Sequence, residues 1–287
     1  MIMNDVVSIN GELFPLIEAK IPLLDRGLLY GDGIFEGVRF YDKKPLLHIP
    51  HFERFCKSAE YIRLSPPSLE SYNHEIKKTI EASGYADGYL RIILTRGVGK
   101  MGITPTGYGK PNFYVIVTNI ALYDKSLYEN GIELVVSKSR RIHKDSFSGQ
   151  VKSLAYLPNI ICLWEALESG ATEALMLDCD GYVSEASVAN IFALMGNTLL
   201  TPSLEANCLE GVTRNQIIKL SSKLGFNVEE KLFKLDELLE ADEVFLTGTG
   251  AGVVPVASIN GTKFKIDRSK KIREVYESSI KDNCQAL

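Results

Sequence analysis

Lys152 is the residue whose surroundings most clearly favour chemistry. It is the only charge in the stretch SFSGQVKSLAYLPNIICLW (146–164), although 24% of the whole chain is charged. This isolation predicts a lysine inside the protein, where burial disfavours the ammonium form. A neutral amine can attack a carbonyl carbon and can afterwards act as a base. The alternative is a surface lysine beside a buried helix, which is the commoner situation for a lysine.

Glu185 is isolated in the same way, because YVSEASVANIFALMGNTLL (182–200) contains no other charge. A buried carboxylate needs a cation or a hydrogen-bond donor, or else it takes up a proton. Two interpretations follow. Lys152 and Glu185 pair with each other, or both hold a cofactor, the lysine at its aldehyde and the carboxylate at its ring nitrogen. A carboxylate in that second place would keep the ring cationic and able to accept electrons.

Two further segments could bind an anion such as a phosphate. ADEVFLTGTGAGVVPV runs from an apolar strand into small residues (247–252) whose N–H groups could converge on an anion, although a tight loop is the simpler interpretation. In CLEGVTRNQIIKL, Val212 and Thr213 begin a predicted helix, where the helix dipole favours negative charge. The alternative for Thr213 is an ordinary N-cap.

Arg54 is a third candidate anion ligand, since it lies early in the predicted helix of PHFERF. A guanidinium there could clamp a phosphate with two hydrogen bonds, or it could pair with Glu53 or Glu60. His48 and His51 are close enough in sequence to suggest a metal site. No further histidine or cysteine cluster accompanies them, so we predict no metal.

The spacing of apolar and turn residues predicts a mixed chain of helices and strands that could position these groups. Hairpins are expected before residue 48, followed by a helix from about residue 50 and a second helix between a Ser68 N-cap and Gly84. Strand-like runs follow at 89–96, 112–119 and 132–139. The later pattern predicts, in order, helix 158–169, strand 172–178, strands near 189–194 and 198–200, helix 213–224, strand 226–232, helix 235–240, strand 243–247 and helix 269–283.

These elements suggest two domains. We expect residues 1–120 to form a small α/β domain, 121–133 to form a connection, and 134–287 to form a larger domain that binds the cofactor.

Composition argues against several functional classes. The net charge is −4 with no basic stripe, so the electrostatic basis of nucleic-acid binding is missing. No apolar run approaches the roughly 20 residues of a membrane span. The N-terminus lacks an export signal, and the five cysteines are scattered without a C-x-x-C pair. We therefore expect a soluble, cytoplasmic protein with reduced thiols and small-molecule ligands.

Taken together, these segments resemble the fold-type IV pyridoxal-phosphate enzymes, which include branched-chain aminotransferases, D-amino-acid aminotransferases and aminodeoxychorismate lyase. The resemblance implies the two-domain architecture of that family, a small α/β domain and a larger β-rich domain flanked by helices, with pyridoxal 5′-phosphate as cofactor. The similar segments follow one another from about residue 20 to about residue 257: LLDRGLLYGDGIFEGVRFY, HIPHFERF, YLRIILTRG, QVKSLAYL, EALMLDCDGYVSEASVANIF, LEGVTRNQII and ADEVFLTGTGAGVVPV.

The resemblance also assigns roles to the candidate cofactor residues. Lys152 falls where the family has its Schiff-base lysine, Glu185 where it has the partner of the pyridine nitrogen, and Arg54 where it has the phosphate arginine. Leu209 is similar to the family residue that packs against the ring. The further phosphate contacts that the resemblance implies are Val212, Thr213 and Thr249. The isolated charges and the family motifs thus select the same lysine and glutamate.

Within the family, the substrate-pocket pattern is most similar to that of branched-chain aminotransferases. The residues that carry the pattern are Tyr30, Phe35, Gly37, Arg39, Tyr89, Arg91, Gly250 and Ala251. By resemblance, aromatic walls receive an apolar side chain, while a hydroxyl, an arginine and the backbone of a turn hold carboxylates. D-amino-acid enzymes tend to have a lysine in place of Arg39. In one departure, Leu157 stands where branched-chain enzymes often have a tyrosine, with Tyr156 adjacent.

The activity that the resemblance implies is transamination of L-leucine, L-isoleucine and L-valine with 2-oxoglutarate, as in branched-chain amino-acid biosynthesis. The products would be 2-oxo acids and L-glutamate, and the enzyme would be a homodimer or a larger homo-oligomer. The alternatives are D-amino-acid transamination or aminodeoxychorismate lyase action on the same fold. A more remote alternative is a non-catalytic binding protein in which Lys152 and Glu185 are structural.

Overall fold

The structure, a computed structural model, describes residues 5–104, 106–107, 109–120 and 123–287. The chain forms two compact units. The first unit comprises Met1–Ile120, Val151–Ala155 and Ile280–Leu287, and the second comprises Ala121–Gln150 and Tyr156–Ser279. The sequence predicts a single division near residue 120, whereas the chain returns to the first unit at the segment that carries Lys152.

The first unit contains a six-stranded sheet in which every pairing is antiparallel. The order of the strands across the sheet is β2-β1-β6-β5-β3-β4. Its elements are β1 (Val6–Ile9), β2 (Glu12–Pro15), α1 (Arg26–Tyr30), β3 (Gly33–Tyr41), β4 (Lys44–Pro45), α2 (His48–Tyr61), α3 (Leu69–Ser83), β5 (Gly88–Thr95) and β6 (Asn112–Thr118).

Helices α2 and α3 form where the apolar spacing predicts them. Ser68 accepts a hydrogen bond from the N–H of Ser71 at 3.2 Å, and Gly84 ends α3 in the left-handed conformation, with a φ of 72°. Phe55 of α2 and Tyr72 of α3 are completely buried, and their ring centroids lie 5.4 Å apart. The predicted caps and the predicted apolar stripe are therefore confirmed.

The second unit contains a nine-stranded sheet. Eight strands follow the order β12-β11-β10-β13-β14-β7-β8-β9, and β15 pairs with β14. The elements are α4 (Lys125–Asn130), β7 (Ile132–Val136), α5 (Leu157–Glu168), β8 (Glu173–Leu177), β9 (Val183–Ala186), β10 (Asn190–Met195), β11 (Thr198–Pro202), α6 (Val212–Lys223), β12 (Asn227–Lys231), α7 (Leu235–Leu239), β13 (Glu243–Gly248), β14 (Gly252–Ile259), β15 (Thr262–Lys263) and α8 (Asp267–Asn283), of which residues 280–283 belong to the first unit. Its core contains Ile191, Val244 and Val256, each completely buried.

Most predicted elements occur within a few residues of their expected bounds, but the sequence pattern misses two strands that matter for the site. One is β9, which carries Glu185, and the other is β14, which follows the small-residue segment. Helix α4 also lies in the stretch that the sequence assigns to a connection. In the described part of the chain, no helix combines the length and the apolar character that crossing a membrane requires.

Candidate active site

Lys152 lies in the first unit, on a segment that runs beside β3. Its N–H donates to the hydroxyl of Ser58 at 3.2 Å, and its carbonyl accepts from the N–H of Phe35 at 2.9 Å. Its Nζ lies 4.6 Å from the centroid of the Phe35 ring, a distance at which an ammonium is attracted by the aromatic face. Lys152 is half-buried, so its predicted burial is confirmed only in part. The backbone is held in place while the residue stays partly exposed.

The substrate-pocket residues predicted on β3 and β5 share one face of the sheet. In an antiparallel pair, residues directly opposite each other project to the same side. Gly37 lies opposite Arg91, and Arg39 lies opposite Tyr89. Phe35 projects to this side as well, since it is two residues from Gly37, and its ring centroid lies 4.3 Å from Cζ of Arg91. We call this surface the β3–β5 face. It combines buried aromatic rings with two guanidinium groups.

On the β3–β5 face, Gly37 leaves no room for a side chain. A Cβ at this position would lie 1.9 Å from the hydroxyl oxygen of Tyr89 and 2.7 Å from its Cζ. Tyr89 is buried, so its ring would have to leave its place. We expect Gly37→Ala to lower the free energy of unfolding by about 1–3 kcal/mol. Urea denaturation measures this loss.

Gly109→Ala is the matched control for Gly37→Ala. A Cβ at residue 109 would meet the carbonyl oxygen of Val98 at 3.5 Å, an ordinary van der Waals contact. We expect this variant to keep the stability of the parent protein. If Gly37→Ala behaved like the control, Tyr89 would not be confined by Gly37.

Arg54 is held by the carboxylate of Glu36. Arg54 donates from Nε to Oε1 and from Nη2 to Oε2, both at 2.8 Å. Nδ1 of His51 lies 2.8 Å from the same Oε2. The side chains of Glu36 and His51 are 0% and 1% exposed, and that of Arg54 is 11% exposed. These three residues, which we call the Glu36 triad, lie within the first unit.

The charges of the Glu36 triad follow from its burial and its contacts. Burial alone would raise the pKa of Glu36, but the charge and hydrogen bonds of Arg54, together with the hydrogen bond of His51, hold the pKa far below its usual range. Burial lowers the pKa of His51, and the positive charges of Arg54 and Lys152 act in the same direction, against the opposing effect of Glu36. The carboxylate is therefore ionised. The neutral His51 ring donates its Nδ1–H to the carboxylate.

The two histidines of α2 have partners in the protein. Nε2 of His48 lies 2.6 Å from Oδ1 of Asn73, and His51 faces Glu36. Across the described ranges, three or more His, Cys, Asp or Glu side chains are nowhere grouped so as to hold a metal ion.

Glu185 lies on β9 in the second unit, and its predicted burial is confirmed at 6% exposure. Its Oε2 accepts from the N–H of Leu209 at 3.0 Å and from Nδ2 of Asn190 at 3.4 Å. Its Oε1 lies 3.2 Å from Nη2 of Arg141. A guanidinium and two N–H donors suit an anionic carboxylate. A carboxylate held in this way can also accept a hydrogen bond from a protonated ring nitrogen.

Sequence reasoning missed Arg141 and Asn190 as partners of Glu185. Asn190 also donates to the carbonyl of Leu209 at 2.8 Å, so it links the acid to the segment before α6. Arg141 also donates to the carbonyl of Asn207 at 3.2 Å. The sequence does contain a signal for Asn190, because this residue is an amide within an apolar strand. Arg141 lies in the basic stretch SRRIHKD and had none.

The N-terminus of α6 offers a second group of donors. The helix begins at Val212 after Gly211, and no side chain caps it, so Thr213 is not an N-cap. A Cβ at residue 211 would lie 2.0 Å from Oδ1 of Asn190, which explains the glycine. Val212 and Thr213 are buried in the first turn. Uncapped N–H groups and the positive end of the helix dipole suit a phosphate.

The small-residue segment forms the turn between β13 and β14. Thr249, Gly250 and Ala251 make up this turn, and the hydroxyl of Tyr128 donates to the carbonyl of Ala251 at 3.0 Å. Just before the turn, Oγ1 of Thr247 is buried and has no hydrogen-bond partner in the described protein. A buried hydroxyl without a partner is costly. A hydrogen-bonding atom of a ligand, such as a phosphate oxygen, would remove this cost.

Tyr30, Tyr156 and Leu157 lie outside the two strands of the β3–β5 face. Tyr30 ends α1, not on the β3–β5 face, and its hydroxyl accepts from the N–H of Gly102 at 2.8 Å. Leu157 is the first residue of α5 and is 65% exposed. Tyr156 precedes it as the N-cap residue.

Comparisons with known proteins agree on one family. A family profile described as Amino-transferase class IV matches residues 33–259. The branched-chain-amino-acid aminotransferase of Pseudomonas aeruginosa is 32% identical over 286 residues, which cover 97% of this chain and 92% of that protein.

Solved structures with similar folds include two branched-chain aminotransferases. A branched-chain aminotransferase from Thermoproteus uzoniensis with norvaline has a TM-score of 0.90 and 31% identity, covering 97% of this chain and 95% of that chain. The branched-chain amino acid aminotransferase of T.th. with pyridoxamine 5′-phosphate has a TM-score of 0.91 and 30% identity, covering 97% and 94%. The mixed architecture predicted from the sequence is confirmed by these matches.

Proposed function

The chain belongs to the amino-transferase class IV family, and from this membership we propose that it transfers the amino group of L-leucine, L-isoleucine and L-valine to 2-oxoglutarate. The products are branched-chain 2-oxo acids and L-glutamate. The observation that carries the substrate assignment is the β3–β5 face. Phe35 and Tyr89 offer aromatic surface for an apolar side chain, and Arg91 and Arg39 offer guanidinium groups for a carboxylate.

Pyridoxal 5′-phosphate is the cofactor, and when bound it supplies an aldehyde for the amino group and a ring that accepts electrons. Lys152 would hold this aldehyde through its amine, and its Nζ, released when the amino group of the substrate takes its place, would remove the proton from Cα of the amino acid. Glu185 holds a proton at the ring nitrogen through its carboxylate. Asn190 and Arg141 keep that carboxylate in place.

The remaining cofactor and substrate residues complete the proposal. Arg54, Val212, Thr213 and Thr249 bind the phosphate, and Leu209 packs against the ring. Gly250 and Ala251 offer backbone N–H groups to a substrate carboxylate, and Tyr30 offers its hydroxyl. The uncapped start of α6 and the partnerless hydroxyl of Thr247 support a phosphate in the second unit.

A panel of amino donors tests the proposed activity. We expect L-leucine, L-isoleucine and L-valine to react with 2-oxoglutarate, with kcat/KM for L-leucine at least about 10²-fold above that for D-alanine. A double-reciprocal plot for the two substrates should give parallel lines, since one product leaves before the second substrate binds. Preference for D-alanine, turnover of aminodeoxychorismate or intersecting lines would favour the alternative activities. A colourless protein without transamination would favour a binding protein.

We extend the proposal to a homodimer or larger homo-oligomer in the cytoplasm. Helix α5 supports an assembly, because several of its large apolar side chains are exposed, a feature typical of interaction surfaces. These residues are Leu157, Ile160, Ile161, Trp164 and Leu167. The molar mass in solution tests this extension.

A further inference from the structure

The Glu36 triad forms where the side-chain alternation of β3 and the helical repeat of α2 bring three residues together. Side chains alternate along a strand, so Glu36 projects away from the β3–β5 face that its neighbours Phe35 and Gly37 share. On α2, His51 and Arg54 are three residues apart and therefore lie on the same side of the helix. The acid of the strand and the two bases of the helix thus meet between the sheet and α2, with heavy-atom distances of 2.8 Å.

A gain in folding stability does not by itself explain why a buried charged group such as the Glu36 triad is present. An ion pair in a protein interior loses the hydration of both charges, and apolar residues of similar volume are often at least as stable. Here both acceptor oxygens of Glu36 are used, one by Nε of Arg54 and the other by Nη2 of Arg54 and Nδ1 of His51. Two parallel bonds between a carboxylate and a guanidinium fix the plane of the guanidinium. The result is an arginine whose orientation is determined from the protein interior.

We propose that Glu36, supported by His51, is a positioning residue that fixes the guanidinium of Arg54 in the orientation that binds the phosphate of the cofactor. The inference rests on the proposed function, which makes Arg54 a phosphate ligand. Glu36 is completely buried and acts through Arg54. Because its negative charge balances that of Arg54, the benefit to the phosphate comes from well-placed N–H donors more than from added positive charge.

Cofactor binding by the cofactor-free protein tests this role without any measurement of turnover. The probes are pyridoxal 5′-phosphate and pyridoxal, which has the same aldehyde and ring but no phosphate. Glu36→Gln keeps the shape of the side chain but turns an NH2 group toward an N–H donor of Arg54, whichever way the amide lies. We expect its Kd for pyridoxal 5′-phosphate to rise by about 10–100-fold, as when a residue that orients a ligand-binding group is removed, while its Kd for pyridoxal stays that of the parent protein.

A double-mutant cycle separates positioning from a general effect on structure. Arg54→Met removes the guanidinium, and we expect it to lose most of the preference for the phosphorylated probe. If Glu36 acts through Arg54, adding Glu36→Gln to Arg54→Met changes neither Kd further. A second loss of similar size on the Arg54→Met background would overturn the proposal. So would a parallel loss for both probes in Glu36→Gln.

A pair of His51 variants tests the same idea if Glu36→Gln does not fold. His51→Asn keeps an N–H donor for Glu36, whereas His51→Leu keeps an apolar side chain and removes the donor. We expect selective loss of pyridoxal 5′-phosphate affinity in His51→Leu and recovery in His51→Asn. Equal affinities of the two variants for pyridoxal 5′-phosphate would show that His51 does not support Glu36. Failure of the parent protein to bind pyridoxal 5′-phosphate would instead contradict the proposed function itself.

Discussion

Lys152→Ala is expected to lower kcat for transamination by roughly 10⁴-fold or more. This one amine would have two tasks, since it would hold the cofactor aldehyde and later remove the proton from Cα of the substrate. No other lysine of the described chain is assigned to either task. The measurements are the rate constant of a single turnover and kcat in steady-state assays. Borohydride treatment followed by mass spectrometry is the third measurement. Borohydride should join the cofactor to the parent protein and leave the variant unlabelled.

Two control variants separate the amine from the charge and from non-specific damage. Lys152→Arg keeps a cation able to lie over the Phe35 ring, but a guanidinium is neither a nucleophile nor a base at neutral pH. We expect it to be as inactive as Lys152→Ala. Lys57→Ala, at a position of α2 that the proposal leaves without a role, should keep the parent kcat. Substantial turnover by Lys152→Arg would show that the charge, and not the amine, matters at this position.

The sequence identified Lys152 and Glu185 because each is a single charge in a long uncharged stretch. The same test misses Glu36, which has Asp32 and Arg39 within four residues. The alternation of side chains along β3 does provide a signal for Glu36. If Phe35 and Gly37 face the substrate, the charged residue between them must face the other way and needs a partner there. A pattern argument could therefore predict a buried acid at residue 36, although not that its partner is Arg54.

Local signals also explain which elements were predicted. Helix α3 has a Ser68 cap, an apolar stripe and a terminal Gly84, so its bounds can be read from nearby residues alone. Strand β14 contains Pro255, which argues against a central strand. The pairing of β14 with β7 begins only at Val256, so the proline is tolerated. Strand β9 has four residues, two of them polar, and its burial depends on neighbours that are distant in sequence.

Long-range pairing explains what no local pattern could predict. Segment 151–155 joins the first unit because Ser153 pairs with Ile34 and Leu154 donates to the carbonyl of Gly33 at 2.9 Å. Arg141 reaches Glu185 across more than forty residues of sequence. A single chain without a set of related sequences carries no signal for such contacts. The candidate residues could therefore be named from the sequence, but their pairing with the groups that orient them could not.

Glu185→Gln is expected to lower kcat by about 10²–10³-fold, the usual effect of removing one group that stabilises developing charge. The amide keeps the length of the side chain and an oxygen that can accept from the N–H of Leu209. It lacks the negative charge that pairs with Arg141 and that would hold a proton on the ring nitrogen. The measurements are kcat and the Kd for pyridoxal 5′-phosphate. The Kd should change much less than kcat, because the phosphate contacts remain.

Glu173→Gln is the matched control, since it changes another buried carboxyl of the second unit that has no proposed role. Glu173 is 1% exposed and accepts from the N–H of Ala174 at 2.7 Å. Burial raises the pKa of Glu173, which brings its carboxyl closer to the neutral form that glutamine imitates. We expect this variant to keep the parent kcat. Because both substitutions remove one buried carboxyl, equal losses of kcat would assign the effect to damage in the core. A loss confined to Glu185→Gln would place the charge of Glu185 in the reaction.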